Sequence, residues 1–289
     1  MWFFFALIAA LSTSVLPIIN KRLLQDTDVS IVAWGFNALS LPILAVATFF
    51  LAPVSQVDAP FWFGIAASGI LNMFATFIST LALRLSDASL VTPFLTFNPI
   101  FTLLIGFIAL GEVPTPVGAF GVAVIGMGAY FFALEEVKTN LLAPLCALAK
   151  QRGVVLAILA SFIWGLTPIF EKIAIQHSAP QNPPLVAFLT TLVMTILLTP
   201  ALWLRARDPF AQISRHARGF GIAALIAGIA PLFGFTAIAI GLVGYVTAIF
   251  KLSPVFTVGL ARVFLDEKNL RARLLGSSVM AFGALLIAL

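Results

Sequence analysis

The chain has 289 residues, of which 61% are hydrophobic and 9% charged, with a mean hydropathy of +1.12. Soluble domains carry roughly 25% charged residues, so this chain cannot clothe a water-facing surface, and lipid must be most of its solvent. The net charge of +5 comes from basic residues that form no run; that excludes a nucleic-acid partner and fits cationic membrane loops, while a lone cysteine, Cys146, excludes an intramolecular disulfide.

A bilayer core needs about 20 apolar residues per helix. On that scale the chain reads as spans near 2–20, 31–51, 60–85, 88–110 and 115–134, then 153–175, 184–204, 218–240, 243–264 and 271–289. The first span has no Lys or Arg before it, so it lacks the basic start of a cleaved signal peptide and is retained as a helix. Short loops punctuated by Pro, Gly, Asp and Glu separate the spans. The one long connection, 135–152, is a cytoplasmic linker whose Leu141–Ala149 stretch is too short to span and lies at the interface.

The sequence repeats itself. Thr96-Phe97-Asn98-Pro99-Ile100-Phe101-Thr102 matches Lys251-Leu252-Ser253-Pro254-Val255-Phe256-Thr257 at a shift of 155 (254 − 99), and Gly111-Glu112, Gly121 and Gly128 fall on Asp266-Glu267, Gly276 and Gly283. Pro17-Ile18-Ile19-Asn20-Lys21 matches Pro168-Ile169-Phe170-Glu171-Lys172 at a shift of 151 (168 − 17). The chain therefore divides into a first five-helix repeat, 1–134, the linker, and a second repeat, 153–289.

Loop charges give the repeats a direction. Lys21, Arg22, Arg84, Lys138, Lys150, Arg152, Arg205, Arg207, Arg215, Arg218, Lys268, Arg271 and Arg273 lie on odd-numbered loops, and the even-numbered loops hold no Lys or Arg. The positive-inside rule then puts the odd loops in the cytoplasm and both termini outside. Five helices per repeat is an odd number, so the second repeat starts on the opposite face from the first. The expected fold is all-α: ten transmembrane helices as two inverted five-helix repeats around a central cavity, an architecture that fits transport.

Polar residues within spans are the candidate site residues, because lipid penalises them unless they face an interior. Lys251 lies about 13 Å into the ninth span at 1.5 Å per residue. It either binds a carboxylate or other anion in the central cavity, pairs with a carbonyl freed by Pro254, or stays neutral in the core. Asn98 and Ser253 each precede a mid-span proline, and either support a kinked backbone or line the path. Trp164 is mid-span, unlike the other four tryptophans, and either stacks on a ligand or packs in the core. Tyr245 and Asn72 complete the substrate-binding candidates. Pro17, Pro99, Pro168 and Pro254 are candidate hinges and Glu171 a candidate outer gate. Asp87, Glu112, Glu171, Asp266 and Glu267 all read as helix-end residues, which leaves no acidic group at mid-membrane.

These motifs, recurring in matching places of both halves, resemble the EamA family of the drug/metabolite transporter superfamily. The resemblance covers essentially the whole chain. It implies export of small metabolites, including amino acids, with the aromatic amino acid exporters as similar members. Such members are commonly drawn with cytoplasmic termini, whereas the loop charges here place them outside. The expected protein is thus an alternating-access carrier in a bacterial inner membrane, complete as a monomer. Its partners are the bilayer and a carboxylate-bearing small molecule, with no cofactor and no metal. Two alternatives stand beside it. An integral-membrane lipid enzyme would need a catalytic set that His177, His216 and Cys146 do not form. A flippase for a lipid-linked sugar would want several cations for its phosphate.

Overall fold

The computed structural model of the chain describes residues 1–23, 26–51, 53–85, 94–137, 151–205, 208–253, 255–256 and 271–288. Its elements are α1 (Trp2–Thr13), α2 (Leu16–Leu23), α3 (Val29–Val46) continued by a π-helical turn (Ala47–Leu51), β1 (Gln56–Val57), α4 (Ala59–Leu85), α5 (Asn98–Leu110), α6 (Pro116–Val137), α7 (Arg152–Gln176), β2 (Ser178–Ala179), α8 (Pro183–Arg205), α9 (Pro209–Arg215), α10 (Ala217–Ile240), α11 (Val243–Phe250) and α12 (Arg271–Ala288). Among the described residues, five helices are long and apolar enough to cross a membrane. Several elements fall within one or two residues of the expected spans, among them α4, α7, α8 and α10.

Three expected spans are interrupted instead of kinked. The first breaks at Ser14–Val15, the fourth at Thr96–Phe97 and the ninth at Lys251–Leu252. The cause is the proline that follows. A proline inside a helix loses a hydrogen bond and clashes with the carbonyl four residues back, but in a first turn it costs nothing. The helix therefore stops and restarts around it, so that Pro17 and Pro99 are each the second residue of a new helix. These two start new helices, where the expectation had them inside continuous spans. Pro254 lies outside the described residues, as do the 138–150 part of the linker, Asp87 and the Asp266-Glu267 pair. Pro168 differs from Pro17, its repeat partner, because α7 runs straight through it. The carbonyl that Pro168 cannot bond is that of Trp164, and the Thr167 hydroxyl donates to it at 3.1 Å.

Burial is arranged for lipid. Large apolar side chains such as Phe50, Ile108 and Leu204 are at least 80% exposed, while the buried positions favour alanine, as at Ala6, Ala10, Ala75, Ala82, Ala157 and Ala237. Small residues let helix backbones approach closely where no hydrophobic force pulls them together. Three buried hydroxyls are satisfied on their own helices: Thr48, Thr102 and Thr247 donate to the carbonyls of Leu44, Asn98 and Val243 at 2.8–2.9 Å.

The chain forms two compact units, Met1–Met73 with Phe170–Ile240, and Phe74–Ile169 with Gly241–Leu289. Each takes a piece from both sequence repeats. In the first unit, Leu23, Ile31, Val32, Leu202 and Phe220 form one core cluster. There β1 pairs antiparallel with β2, and Asn182 Nδ2 donates to the Pro53 carbonyl at 2.9 Å. His177 Nδ1 lies 2.8 Å from Asp58 Oδ2 in the same loop pair. The hydrogen bond from His177 holds the Asp58 carboxyl below its ordinary range.

In the second unit, α6 and α12 run antiparallel at backbone contact. A Cβ built on Gly121 would lie 2.8 Å from the Gly283 carbonyl oxygen, and one on Gly128 would lie 2.9 Å from that of Gly276. These are the four glycines that the repeat relates, each meeting the partner of the other. Gly128→Val is expected to lower stability by about 1–3 kcal/mol through forced separation of the helices. Gly221, with nothing within 4 Å, should tolerate valine. Thermal unfolding of both variants in detergent checks this, and equal melting points would contradict it.

Candidate functional site

The two interruptions in the second unit share one hydrogen-bonding pattern. Phe97 N–H donates to the Phe94 carbonyl at 3.3 Å, and the Phe97 carbonyl accepts from Ile100 at 3.0 Å and Phe101 at 3.4 Å. At a shift of 155, Leu252 N–H donates to Ile249 at 3.0 Å, and the Leu252 carbonyl accepts from Val255 at 2.9 Å and Phe256 at 3.3 Å. The same tight turn is thus built twice, with Thr96-Phe97-Asn98 in one copy and Lys251-Leu252-Ser253 in the other.

Helices α5 and α11 carry these turns side by side. A Cβ on Gly244 would meet the Leu103 backbone at 2.6 Å, and one on Gly106 would meet Val243 Cγ2 at 2.8 Å. The sequence therefore advances in opposite directions along the pair. Lys251 is eight residues beyond Val243 (251 − 243) and Asn98 is eight before Gly106 (106 − 98), so both stand about 12 Å from that contact at 1.5 Å per residue. The two turns are at one level.

Polar groups at that level are incompletely used. Lys251 is half-buried and caps α11 through its backbone, its N–H donating to the Ala248 carbonyl at 3.0 Å. Asn98 Oδ1 is buried with no hydrogen-bond partner among the described residues. So is the hydroxyl of Ser161 on α7, a residue the sequence reading did not single out. Ser161 lies one turn before Gly165 (165 − 161), where a Cβ would come 3.3 Å from the Asn98 carbonyl oxygen. The same helix face thus brings Ser161 to the start of α5. Trp164, half-buried, is next to that glycine.

Aromatic rings surround the first turn. Phe97 stacks on Tyr130 with centroids 5.9 Å apart and planes 5° from parallel, and Phe94 meets both edge-on. Phe101 and Phe162 make a further edge contact at 5.6 Å. Ser253 opens the helical turn after Lys251 and is engaged by an interaction of its own.

A model of the EamA-like transporter family matches residues 1–134 and, separately, residues 151–289. The chain belongs to the EamA-like transporter family. It is an integral, multi-pass membrane protein of the drug/metabolite transporter type. Its fold is also that of a protein known from a crystal structure, with a TM-score of 0.75 at 15% identity over 100% of this chain and 98% of the other. None of the curated proteins matches the sequence.

In this EamA-like chain, one residue expected at the site, Tyr245, is explained by the fold. Tyr245 is 6% exposed, and its hydroxyl accepts the Thr115 N–H at 2.8 Å. Thr115 in turn caps α6, its Oγ1 accepting the Gly118 N–H at 3.1 Å. From the same loop, Glu112 Oε2 accepts the Val243 N–H at 2.7 Å and caps α11. Gly111 makes that return possible by ending α5 at φ +67°, a conformation glycine adopts without strain. Each helix start is thereby closed by a side chain from the other segment, and the Tyr245 hydroxyl is a cap.

Glu171 and Asn72 lie in the first unit and belong together. Glu171 lies five residues before the end of α7 (176 − 171) and is only 7% exposed. Ser68 Oγ donates to Glu171 Oε1 at 2.9 Å. Asn72 Nδ2 in turn donates to Ser68 Oγ at 3.3 Å.

Tyr245→Phe should lower stability by about 1 kcal/mol, the worth of one hydrogen bond, and leave the KM for a transported solute unchanged. Thermal unfolding and liposome uptake together check this; an altered KM with intact stability would return Tyr245 to the substrate site.

Proposed function

We propose that this EamA-like protein is an alternating-access carrier that exports an α-amino acid, with aromatic or other apolar side chains favoured, through a site at the two interrupted helices of the second unit. The observation that carries the reading is the pairing at one level of Lys251 with Asn98, whose buried Oδ1 is an acceptor awaiting a donor. An α-amino acid has one group for each. Its carboxylate suits the Lys251 ammonium and its ammonium suits Asn98 Oδ1, while a keto acid would leave Asn98 unanswered. Phe97, Tyr130, Phe101, Phe162 and Trp164 are apolar surfaces for the side chain.

Breaks of this kind expose backbone carbonyls and amides, which transporters tolerate in lipid only where protein or a water-filled path shelters them. Two features support an inverted relation between the repeats. The α6–α12 pair exchanges its glycine partners as a two-fold axis requires, and the two turns share three matching backbone hydrogen bonds. With five helices in each repeat and cations on the odd loops, both termini face outward from a bacterial inner membrane. Acting as a carrier, the chain needs no catalytic set.

Removing a charge-assisted hydrogen bond to the substrate carboxylate costs about 1.5–3 kcal/mol, which is roughly tenfold to a hundredfold in apparent affinity. Uptake of a labelled amino acid panel into liposomes containing Lys251→Met is expected to show that loss at undiminished protein content. Uptake equal to wild type would overturn the assignment of Lys251.

A further inference from the structure

We propose that Glu171, Ser68 and Asn72 form a proton-binding site that couples transport to the proton gradient. The inference rests on the carrier reading and extends it to the energy source.

The geometry is that of a buried carboxylate held by neutral groups. Ser68 is fully buried and Glu171 is 7% exposed. Helix α4 comes close enough to place them, since a Cβ on Gly64 would lie 2.6 Å from the Phe170 carbonyl oxygen. The stretch Ala59–Thr76 that packs there has no ionisable side chain. On α7 itself the adjacent charge is Lys172, 8% exposed and engaged by another group. The next titratable pair, His177 with Asp58, lies in the loop six residues on (177 − 171). Among the described residues no cation forms an ion pair with Glu171.

An ionised carboxylate without a counter-ion in lipid is costly, and such residues mark ion and proton paths. The partners decide which ion. Ser68 presents its hydroxyl hydrogen to Glu171 and is itself held by the Asn72 amide, whereas a metal cation needs several oxygen lone pairs. Ser68 also suits both protonation states: its hydroxyl donates to the carboxylate and, rotated, accepts from the carboxylic acid. One proton is taken from water on one side of the membrane, forms the Glu171 O–H bond, and leaves to water on the other side. Trp164 lies seven residues earlier on the same helix (171 − 164), with Pro168 between them.

The test uses the full chain. In liposomes with an imposed pH gradient, wild type should accumulate labelled phenylalanine by about tenfold per pH unit for one coupled proton. Glu171→Gln should still exchange phenylalanine but only equalise it. Accumulation by Glu171→Gln equal to wild type, or mere equalisation by wild type, overturns the proposal. If wild type does not carry phenylalanine, the amino acid reading fails on that probe, and infrared spectroscopy decides the proton site separately. The purified wild type should then show a titrating protonated-carboxyl stretch that Glu171→Gln lacks; identical spectra overturn it. Glu171→Asp, which keeps the carboxyl, should retain the titrating band and guards against misfolding of the glutamine variant.

Discussion

In lipid, every backbone amide and carbonyl must find its partner within the protein, because no water is there to supply one. Most of this chain obeys by staying helical and by returning Ser and Thr hydroxyls to nearby carbonyls. The rule explains why the prolines fall into two kinds. Pro168 sits inside a helix because the Thr167 hydroxyl answers the carbonyl it leaves open. Pro99 instead starts a helix just after a tight turn at Thr96–Phe97. A sheltered break of that kind is a place where a solute can bond to the protein.

The duplicated pattern makes two such breaks, and the differences between copies give them chemistry. A neutral Thr96 on one side faces the register of a cationic Lys251 on the other. Away from the breaks, the starts of α11 and α6 are locked by exchanged contacts, Glu112 on Val243 and Tyr245 on Thr115. Rigid ends fix the level of the two turns, which is what a site needs from its scaffold.

Much of this was legible in the residues. Hydropathy placed α4, α7, α8 and α10 within two residues, because each is a long apolar run bounded by charge, proline or glycine. The repeat register of 155 predicted where the second interruption would match the first. Lys251 and Asn98 stood out because lipid makes any polar residue at that depth conspicuous. Other features depended on contacts far apart in sequence. Glu171 lies only five residues from a helix end, and nothing in its own segment shows that Ser68, 103 positions away, closes over it. Tyr245 looked like a ligand contact because its partner, Thr115, lies 130 positions earlier. Ser161 is one small hydroxyl among many, and only its unanswered oxygen beside Asn98 sets it apart. The choice between a kink and a break at Pro99 was also hidden, because proline permits both.

The central claim is that the interrupted helices bind the solute through Lys251. Solid-state nuclear magnetic resonance on lipid-embedded protein measures it directly, using phenylalanine labelled with ¹³C at the carboxyl and protein labelled with ¹⁵N at the lysine side chains. The predicted result is a dipolar coupling between the carboxyl carbon and Lys251 Nζ at about 4 Å, the reach of an ion pair, which Lys251→Met removes. Bound phenylalanine with no such coupling would contradict the account.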